Sequence, residues 1–259
     1  MPEEILVERQ ATVLRVTLNR PEKHNALSHS VLDGLRQIFE ENAGDESLQA
    51  VVLSGAGDQS FAAGGDLKDL SVIRTLSQAR EMAEQAKSAL NAVRDFPVPV
   101  IAALNGNAMG GGAELAAACD FRIAAMSARI GFVQGRLNIS TAWGGGVDLM
   151  RLVGPDRALH LLCSSEMLTP SRALALGLYD EVAKDVDGLA TTVDLFLQPF
   201  LRQVPQVLRT FKDMVKAARR GDCLADLHAL ETEHFARNWV HPDHWAAADK
   251  VFDKSKGEE

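Results

Sequence analysis

"NAMGGGAELAAACDF", residues 107–121, places three consecutive glycines directly before an apolar run that favours a helix. Glycine inside a helix costs about 1 kcal/mol relative to alanine, so three of them at a helix start need a physical reason. The first amide groups of a helix have no acceptor within it, and glycines leave those amides open to a ligand oxygen. The run therefore predicts one of two things: an oxyanion site, or close packing of this turn against another element.

A second glycine turn, "SFAAGGDLKDL" (residues 60–70), follows a predicted buried strand at residues 51–54. Asp66 is a candidate N-cap of the segment that comes after it. Two such turns at the ends of neighbouring strands would supply two backbone N–H donors to one oxygen atom. The glycine run lacks the Lys and Ser/Thr of a Walker A loop, and its spacing does not fit GxGxxG, so it matches neither nucleotide-binding motif.

Strand and helix patterns alternate from Gln49 to Phe132, which predicts an α/β fold with a mostly parallel sheet. A hairpin precedes this region, and an amphipathic helix follows the hairpin, with Ser28 as its N-cap and Gly44 at its end. After Gly144, six segments have helical character, and no flexible linker or internal repeat interrupts them. Sites in such folds lie at the carboxyl ends of strands, where both glycine turns are predicted.

Composition narrows the range of functions. The 259-residue chain has a formal net charge of −8, which disfavours a nucleic-acid surface as its main role. Its N-terminus lacks a signal-peptide pattern and no stretch approaches the ~20 apolar residues of a membrane span, so we expect a cytoplasmic protein without membrane contact. Cys119, Cys163 and Cys223 are too sparse for a disulfide framework, and we expect reduced, mostly buried thiols. No residue spacing indicates a metal site.

The two glycine turns, together with "PVPVIAALNG" before the first and "WGGGVDLMRLVG" after it, resemble the crotonase superfamily of enoyl-CoA hydratases and isomerases. "LNRPEKHNALS" (residues 18–28) resembles the N-terminal CoA-binding loop of that superfamily. The resemblance implies a crotonase-type spiral ββα core over residues 1–200 and a helical trimerisation region over residues 201–259. It further implies a homotrimer or dimer of trimers that acts on an acyl-CoA thioester, with no cofactor beyond the coenzyme A moiety of the substrate.

The resemblance also assigns roles to single residues. The backbone N–H groups of Gly65 and Gly111 match the oxyanion hole that holds the thioester oxygen, and Glu114 matches the first catalytic glutamate. The residues themselves leave two roles open for Trp143: it shapes the acyl pocket, or it belongs to the core, where aromatic residues are more common. The expected CoA contacts, mostly through backbone atoms, are Lys23, Ala26, Ala63, Asp66 and Leu67.

A departure from the superfamily pattern bears on the reaction. Hydratases of this kind use two glutamates to move the protons of water, and the second position holds Gln134 here. A glutamine amide forms hydrogen bonds but neither gives nor takes a proton near neutral pH. The sequence also resembles the ethylmalonyl-CoA decarboxylase-like branch, whose members lack that glutamate. This resemblance favours decarboxylation of a malonyl-CoA-type thioester, with the enolate held in the oxyanion hole and Gln134 orienting the substrate carboxylate or a water.

Two alternatives remain open. One is an enoyl-CoA hydratase or isomerase that works with Glu114 and an unidentified second group. The other is a non-catalytic protein that binds CoA thioesters and recruits partners through its helical surface. The intact set of Gly65, Gly111 and Glu114 argues against the non-catalytic alternative.

Overall fold

Two β-sheets organise residues 3–256, which the computed structural model describes. Their strands are β1 (Ile5–Gln10), β2 (Val13–Leu18), β3 (Ala50–Gly55), β4 (Ser60–Ala62), β5 (Val100–Leu104), β6 (Asn107–Met109), β7 (Phe121–Ala125), β8 (Ile130–Gly131) and β9 (Glu181–Ala183). The larger sheet has the order β1-β2-β3-β5-β7-β9, and the smaller has the order β4-β6-β8. The β1–β2 hairpin is antiparallel and the remaining pairs of these sheets are parallel, as the sequence predicts.

Helices connect the strands and then form most of the second half of the chain. They are α1 (His29–Asn42), α2 (Leu76–Arg94), α3 (Gly111–Ala118), α4 (Gly145–Val153), α5 (Pro155–Ser164), α6 (Pro170–Ala175), α7 (Leu189–Leu201), α8 (Pro205–Arg220), α9 (Leu224–Trp239) and α10 (Pro242–Lys256). Among residues 3–256, none of these helices has the length and apolarity needed to cross a lipid bilayer.

Both faces of the larger sheet are covered, which explains the continuous apolar runs of β3 and β5. Alternate residues of these strands, such as Leu53 and Ala102, pack with the apolar faces of α1 and α2. The intervening residues, such as Val52 and Ile101, pack with α7 through side chains that include Val193. The central strands are therefore rigid supports for the loops at their carboxyl ends.

The predicted boundaries of α1 are close to the observed ones. The Ser28 hydroxyl accepts a hydrogen bond from the Val31 amide at 3.3 Å, so Ser28 is the N-cap. The helix ends at Asn42, two residues before the predicted Gly44. Ala43 serves as the C-cap in a right-handed helical conformation, so a glycine is not required to end this helix.

The region after Gly144 differs from prediction in two elements. The six predicted helical segments correspond to α4–α9, but β9 and α10 were not predicted. β9 has three residues, too few for a periodic pattern, and its pairing with β7 is a long-range contact. The division at residues 200 and 201 and the trimeric assembly stay predictions.

The expectation of mostly buried thiols is wrong for two of the three cysteines. Cys119 is buried at the end of α3, where burial raises the pKa of its thiol to about 12. Cys163 and Cys223 are exposed, the first near the end of α5 and the second as the N-cap residue of α9. Cys163 and Cys223 face water because their helix ends lie at the surface, whereas the end of α3 at Cys119 lies inside the core.

Candidate active site

The two glycine turns meet at the carboxyl end of the smaller sheet. β4 and β6 pair in parallel and end side by side, so the loops that follow them are adjacent. A Cβ atom built on Gly64 would lie 3.4 Å from the amide nitrogen of Gly111. The fold therefore brings the two predicted glycine turns together.

The amides of Gly65 and Gly111, the predicted oxyanion donors, lie in these two adjacent turns. Leu27 forms a backbone bridge with the second turn: its amide donates to the Gly64 carbonyl at 2.8 Å, and its carbonyl accepts from the Asp66 amide at 3.0 Å. The Gly65 N–H takes no part in this bridge. Gly111 is the first residue of α3, where an N–H has no acceptor within the helix. The turn before α3 requires a glycine at position 110, because its φ is +54°.

A mostly apolar cavity of about 320 Å³ lies between these turns and is lined by both of them. Met82 of α2 and Leu137 line it, and the Trp143 indole forms part of its wall. The same indole contacts both glycines: Cβ atoms built on Gly65 and Gly111 would lie 3.5 and 2.2 Å from it. The ring therefore fixes how closely the two glycine turns approach the cavity.

Glu114 projects from the first turn of α3 into this cavity and is only 2% exposed. Its Oε2 accepts hydrogen bonds from the amides of Trp143 (3.0 Å) and Gly145 (2.9 Å). Burial raises the pKa of the Glu114 carboxyl above its ordinary value, and the amide donors only partly oppose that rise. A carboxyl with a raised pKa is suited to take and return a proton near neutral pH.

Gln134 lies beside Glu114 in a short 3-10 turn, residues 133–137. Its Nε2 donates a hydrogen bond to Glu114 Oε1 at 2.8 Å. Its Oε1 belongs to the buried side-chain atoms of residues 3–256 that have no hydrogen-bond partner. An unsatisfied buried oxygen costs about 1–3 kcal/mol, so its position at a cavity wall indicates an acceptor for a bound molecule.

The predicted CoA-binding residues fall into two groups. Ala63 and Leu67 line the cavity. Lys23 and Ala26 lie in the loop between β2 and α1. This loop contacts the second glycine turn through a hydrogen bond from the Ala63 amide to the His24 carbonyl, at 3.0 Å.

Asp66 is also predicted to contact CoA, and its carboxylate forms hydrogen bonds within the protein. Its carboxylate accepts from Arg20 at 2.9 Å and more weakly, at 3.4 Å, from the amide of Asp69, where a short 3-10 turn begins. Burial is the largest single effect and raises the pKa of Asp66. The hydrogen bonds from Arg20 and the Asp69 amide, together with the charges of Arg20 and Lys23, outweigh it, so the pKa is lowered. The predicted N-cap role is therefore only partly observed.

Arg20 was not found by sequence reasoning. It is nearly buried and joins Asp66 to Glu4 and to the Ala26 carbonyl, which fixes the loop of the predicted CoA contacts. No local pattern marks it, because Asp66 is far away in sequence.

Comparisons with known proteins agree with this geometry. The enoyl-CoA hydratase/isomerase family matches residues 8–247. A short-chain-enoyl-CoA hydratase from Clostridium acetobutylicum is 31% identical over 252 residues, covering 97% of this chain and 95% of that protein. The crystal structure of an enoyl-CoA hydratase from Bacillus anthracis superposes with a TM-score of 0.91 at 30% identity, covering 97% of both chains.

A decarboxylase is also among the relatives, at lower identity. The ethylmalonyl-CoA decarboxylase of Xenopus tropicalis is 27% identical over 228 residues, which are 88% of this chain and 76% of that protein. The chain therefore belongs to the enoyl-CoA hydratase/isomerase family, within the crotonase superfamily, and is an enzyme that processes acyl-CoA thioesters.

Proposed function

We propose that this enzyme adds water across the double bond of a 2-enoyl-CoA thioester, with Glu114 as the group that moves the proton. The observation that carries the proposal is the buried Glu114 carboxyl, which faces the same cavity as the two glycine turns. The hydratases among its relatives are more similar in sequence than the decarboxylase. Hydration is thus favoured over the decarboxylation that the sequence alone suggested.

The proposed reaction divides the work between backbone and side chain. The amides of Gly65 and Gly111 donate to the thioester oxygen and stabilise the negative charge that develops on it. Glu114 takes one proton from a water as the water oxygen bonds to the β-carbon. The α-carbon of the resulting enolate then takes that proton from Glu114, so that one water has been added and the carboxylate is restored.

Gln134 accounts for the missing second carboxylate in this scheme. Its Nε2 holds Glu114, and its unpartnered Oε1 is an acceptor for the second hydrogen of the attacking water. Gln134 therefore orients the water without exchanging a proton with it.

Decarboxylation is the second candidate, and Gln134 is the observation that favours it. A malonyl-CoA-type thioester would lose CO2, leave its electron pair in the enolate, and take a proton at the α-carbon from protonated Glu114. This reaction needs no base, so one proton-transferring residue suffices. The buried carboxyl of Glu114, with its raised pKa, is suited to carry that proton.

The test compares two substrates on the wild-type enzyme and on Glu114→Gln. Crotonyl-CoA is followed by loss of its conjugated enoyl absorbance, and ethylmalonyl-CoA by release of CO2. For hydration we expect the first signal, and Glu114→Gln should lower kcat by about 10²–10⁴-fold because it removes the proton-transferring group. The variant should retain CoA-ester affinity, since the glycine amides are unchanged.

The control variant makes the same substitution, glutamate to glutamine, at a surface position. Glu40→Gln removes an exposed carboxylate of α1 and should keep wild-type rates. Release of CO2 without loss of enoyl absorbance would reject hydration in favour of decarboxylation. Tight binding of both esters without turnover would reject both reactions.

A further inference from the structure

The active-site cavity has a support on its reverse side, where α2 ends. The guanidinium of Arg94 donates to three different acceptors: Asn91 Oδ1 at 2.8 Å, Asp148 Oδ2 at 2.7 Å and the Trp143 carbonyl at 2.9 Å. Arg94 and Asp148 are both largely buried, with side chains 14% and 10% exposed. Asp148 lies in the first turn of α4, so Arg94 joins α2 to the turn at Trp143 and to the helix that follows.

The turn that Arg94 holds performs two tasks in the cavity. The amides of Trp143 and Gly145 both donate to Glu114 Oε2, so the position of this turn sets the position of the carboxyl. The Trp143 indole also lies against Gly65 and Gly111, whose amides form the proposed oxyanion hole. A shift of this one turn would therefore displace Glu114 and loosen the wall beside the oxyanion donors.

We propose that Arg94 is a positioning residue that sets the geometry of the active site through the Trp143 carbonyl. The inference rests on the proposed role of Glu114 and concerns a residue that itself does not line the cavity. Arg94 acts from behind the turn: its guanidinium fixes the carbonyl on one side, while the amides of the turn face the carboxyl on the other.

The chemistry of arginine fits this task better than that of lysine. A planar guanidinium presents its N–H donors in fixed directions, so one group can hold a carboxylate, an amide oxygen and a carbonyl at once. A lysine ammonium could keep the charge beside Asp148, but it is a point donor on a flexible stem. The turn itself leaves little room for rearrangement, because a Cβ atom on Gly144 would lie 2.7 Å from the Arg94 guanidinium.

The test replaces Arg94 and uses Arg151 as a matched control. Arg151 also faces Asp148, at 3.7 Å, but its hydrogen bond goes to the Arg219 carbonyl rather than to Trp143. Arg94→Ala should lower kcat by about 10²-fold, since misplacement of a catalytic group from a distance has costs of that order. KM should change little, and Arg151→Ala should behave as the wild-type enzyme.

The pH profile separates positioning from a general structural role. The amides of Trp143 and Gly145 lower the pKa of Glu114 against the effect of burial, so their displacement should move the acid limb of kcat/KM to higher pH. Guanidinium ion at sub-denaturing concentration should restore part of the turnover of Arg94→Ala. Arg94→Lys, which keeps the charge and the stem, tests the same limb if the alanine variant does not fold.

Several results would overturn the proposal. One is that Arg94→Ala has the same kcat as Arg151→Ala and the same acid limb in its pH profile. Another is that Arg94→Ala loses kcat while the acid limb stays where it is in the wild type and guanidinium ion restores no turnover. A bound dimethylaminocinnamoyl-CoA ester, whose absorption reports polarisation of its thioester carbonyl, gives a readout that needs no turnover. If the wild-type enzyme fails to hydrate crotonyl-CoA, the proposed function fails, and this spectrum decides the role of Arg94. A weaker red shift in Arg94→Ala, restored by guanidinium, supports the role, and an unchanged red shift rejects it.

Discussion

Glu114 is held between opposing influences. Its carboxyl is buried, which favours the protonated form, yet two backbone amides and the Gln134 amide donate to it, which favours the ionised form. Burial dominates, so the pKa of Glu114 is raised above its ordinary value of 4.5. A group whose native pKa is raised stabilises the fold at low pH and loses that contribution as the pH rises through the native pKa. As the pH rises from the ordinary pKa through the raised native pKa, Glu114 therefore contributes progressively less to the stability of the fold.

Glu114→Gln should for this reason stabilise the protein at neutral pH. The new carbonyl can accept from Trp143 and Gly145, and the new NH₂ can donate to Gln134 Oε1 after a half-turn of the Gln134 amide. We expect the variant to melt a few degrees above the wild type at pH 7. The difference should vanish below pH 4.5, where Glu114 is protonated in both native and unfolded chains.

Thermal melts at a series of pH values check this expectation. Glu40→Gln is again the control, because it changes an exposed carboxylate of α1. A Tm for Glu114→Gln that lies below the wild-type value at pH 7 would mean that the carboxylate stabilises the fold, contrary to the argument from burial.

Candidate site residues that belong to motifs can be predicted from the sequence, whereas residues that act through distant contacts cannot. Glu114 follows the glycine run and Gln134 precedes the WGGG turn, so the resemblance of these motifs to the crotonase superfamily singles out both residues. Arg94 precedes its acceptor Trp143 by 49 residues, and no periodicity links the two. Residues that position a site through tertiary contacts leave no mark in the local sequence.

At the scale of elements, α3 shows why three glycines open one helix. The sequence leaves close packing and an oxyanion site as alternatives for the glycine run. In the structure one glycine of the run packs against β4 and another lines the cavity. A Cβ atom on Gly112 would lie 2.0 Å from the Ala62 carbonyl oxygen of β4, so this position is closed by backbone. At Gly111 the nearest atoms are those of the Trp143 ring, in the wall of the cavity. The two adjacent glycines are therefore needed for different reasons: Gly112 for packing against β4, and Gly111 for contact with the Trp143 ring.

Gly112→Ala should be strongly destabilising for this reason. Overpacking costs about 1–3 kcal/mol where side chains can yield, and we expect at least the upper end here because two backbones must separate. Gly44→Ala is the matched control, since a Cβ atom there would meet nothing within 4 Å. Urea melts of both variants measure the free energies of unfolding. Equal stability of the two would show that α3 does not pack closely against β4.

The strands of the smaller sheet could not be predicted from the sequence. β4 and β6 have three residues each, and β8 has two, so none is long enough to show an alternating pattern. Their pairing nonetheless determines that the two glycine turns are neighbours. The sequence thus predicts the turns and the larger sheet, while the contact that joins the turns follows from tertiary structure alone.

At the scale of the whole molecule, a buried ion cluster joins the C-terminal helices to the sheet. Lys212 of α8 is only 4% exposed and is paired with the carboxylate of Asp120, which precedes β7. Arg219 donates to the other oxygen of Asp120 at 2.8 Å, and the Val100 amide of β5 donates to the carboxylate at 2.8 Å. Burial lowers the pKa of Lys212, and the neighbouring Asp120 opposes that effect.

Asp120→Asn should therefore destabilise the molecule much more than the loss of a surface ion pair. Removing one partner of a buried pair leaves an uncompensated charge and typically costs about 3–5 kcal/mol. Arg36→Ala, which breaks an exposed pair with Glu40, should change the free energy of unfolding by less than about 1 kcal/mol. Denaturant unfolding of both variants provides the comparison.

A double variant identifies the cause of that loss. Replacing Lys212 by Met in the Asp120→Asn background removes the stranded ammonium, so we expect the double variant to recover part of the stability. Recovery would show that the charge of Lys212, rather than the hydrogen bond to Val100, accounts for most of the cost. If the double variant is less stable than Asp120→Asn, Lys212 holds α8 by contacts other than this ion pair. The attachment of the C-terminal helices to the sheet would then have to be assigned to apolar packing.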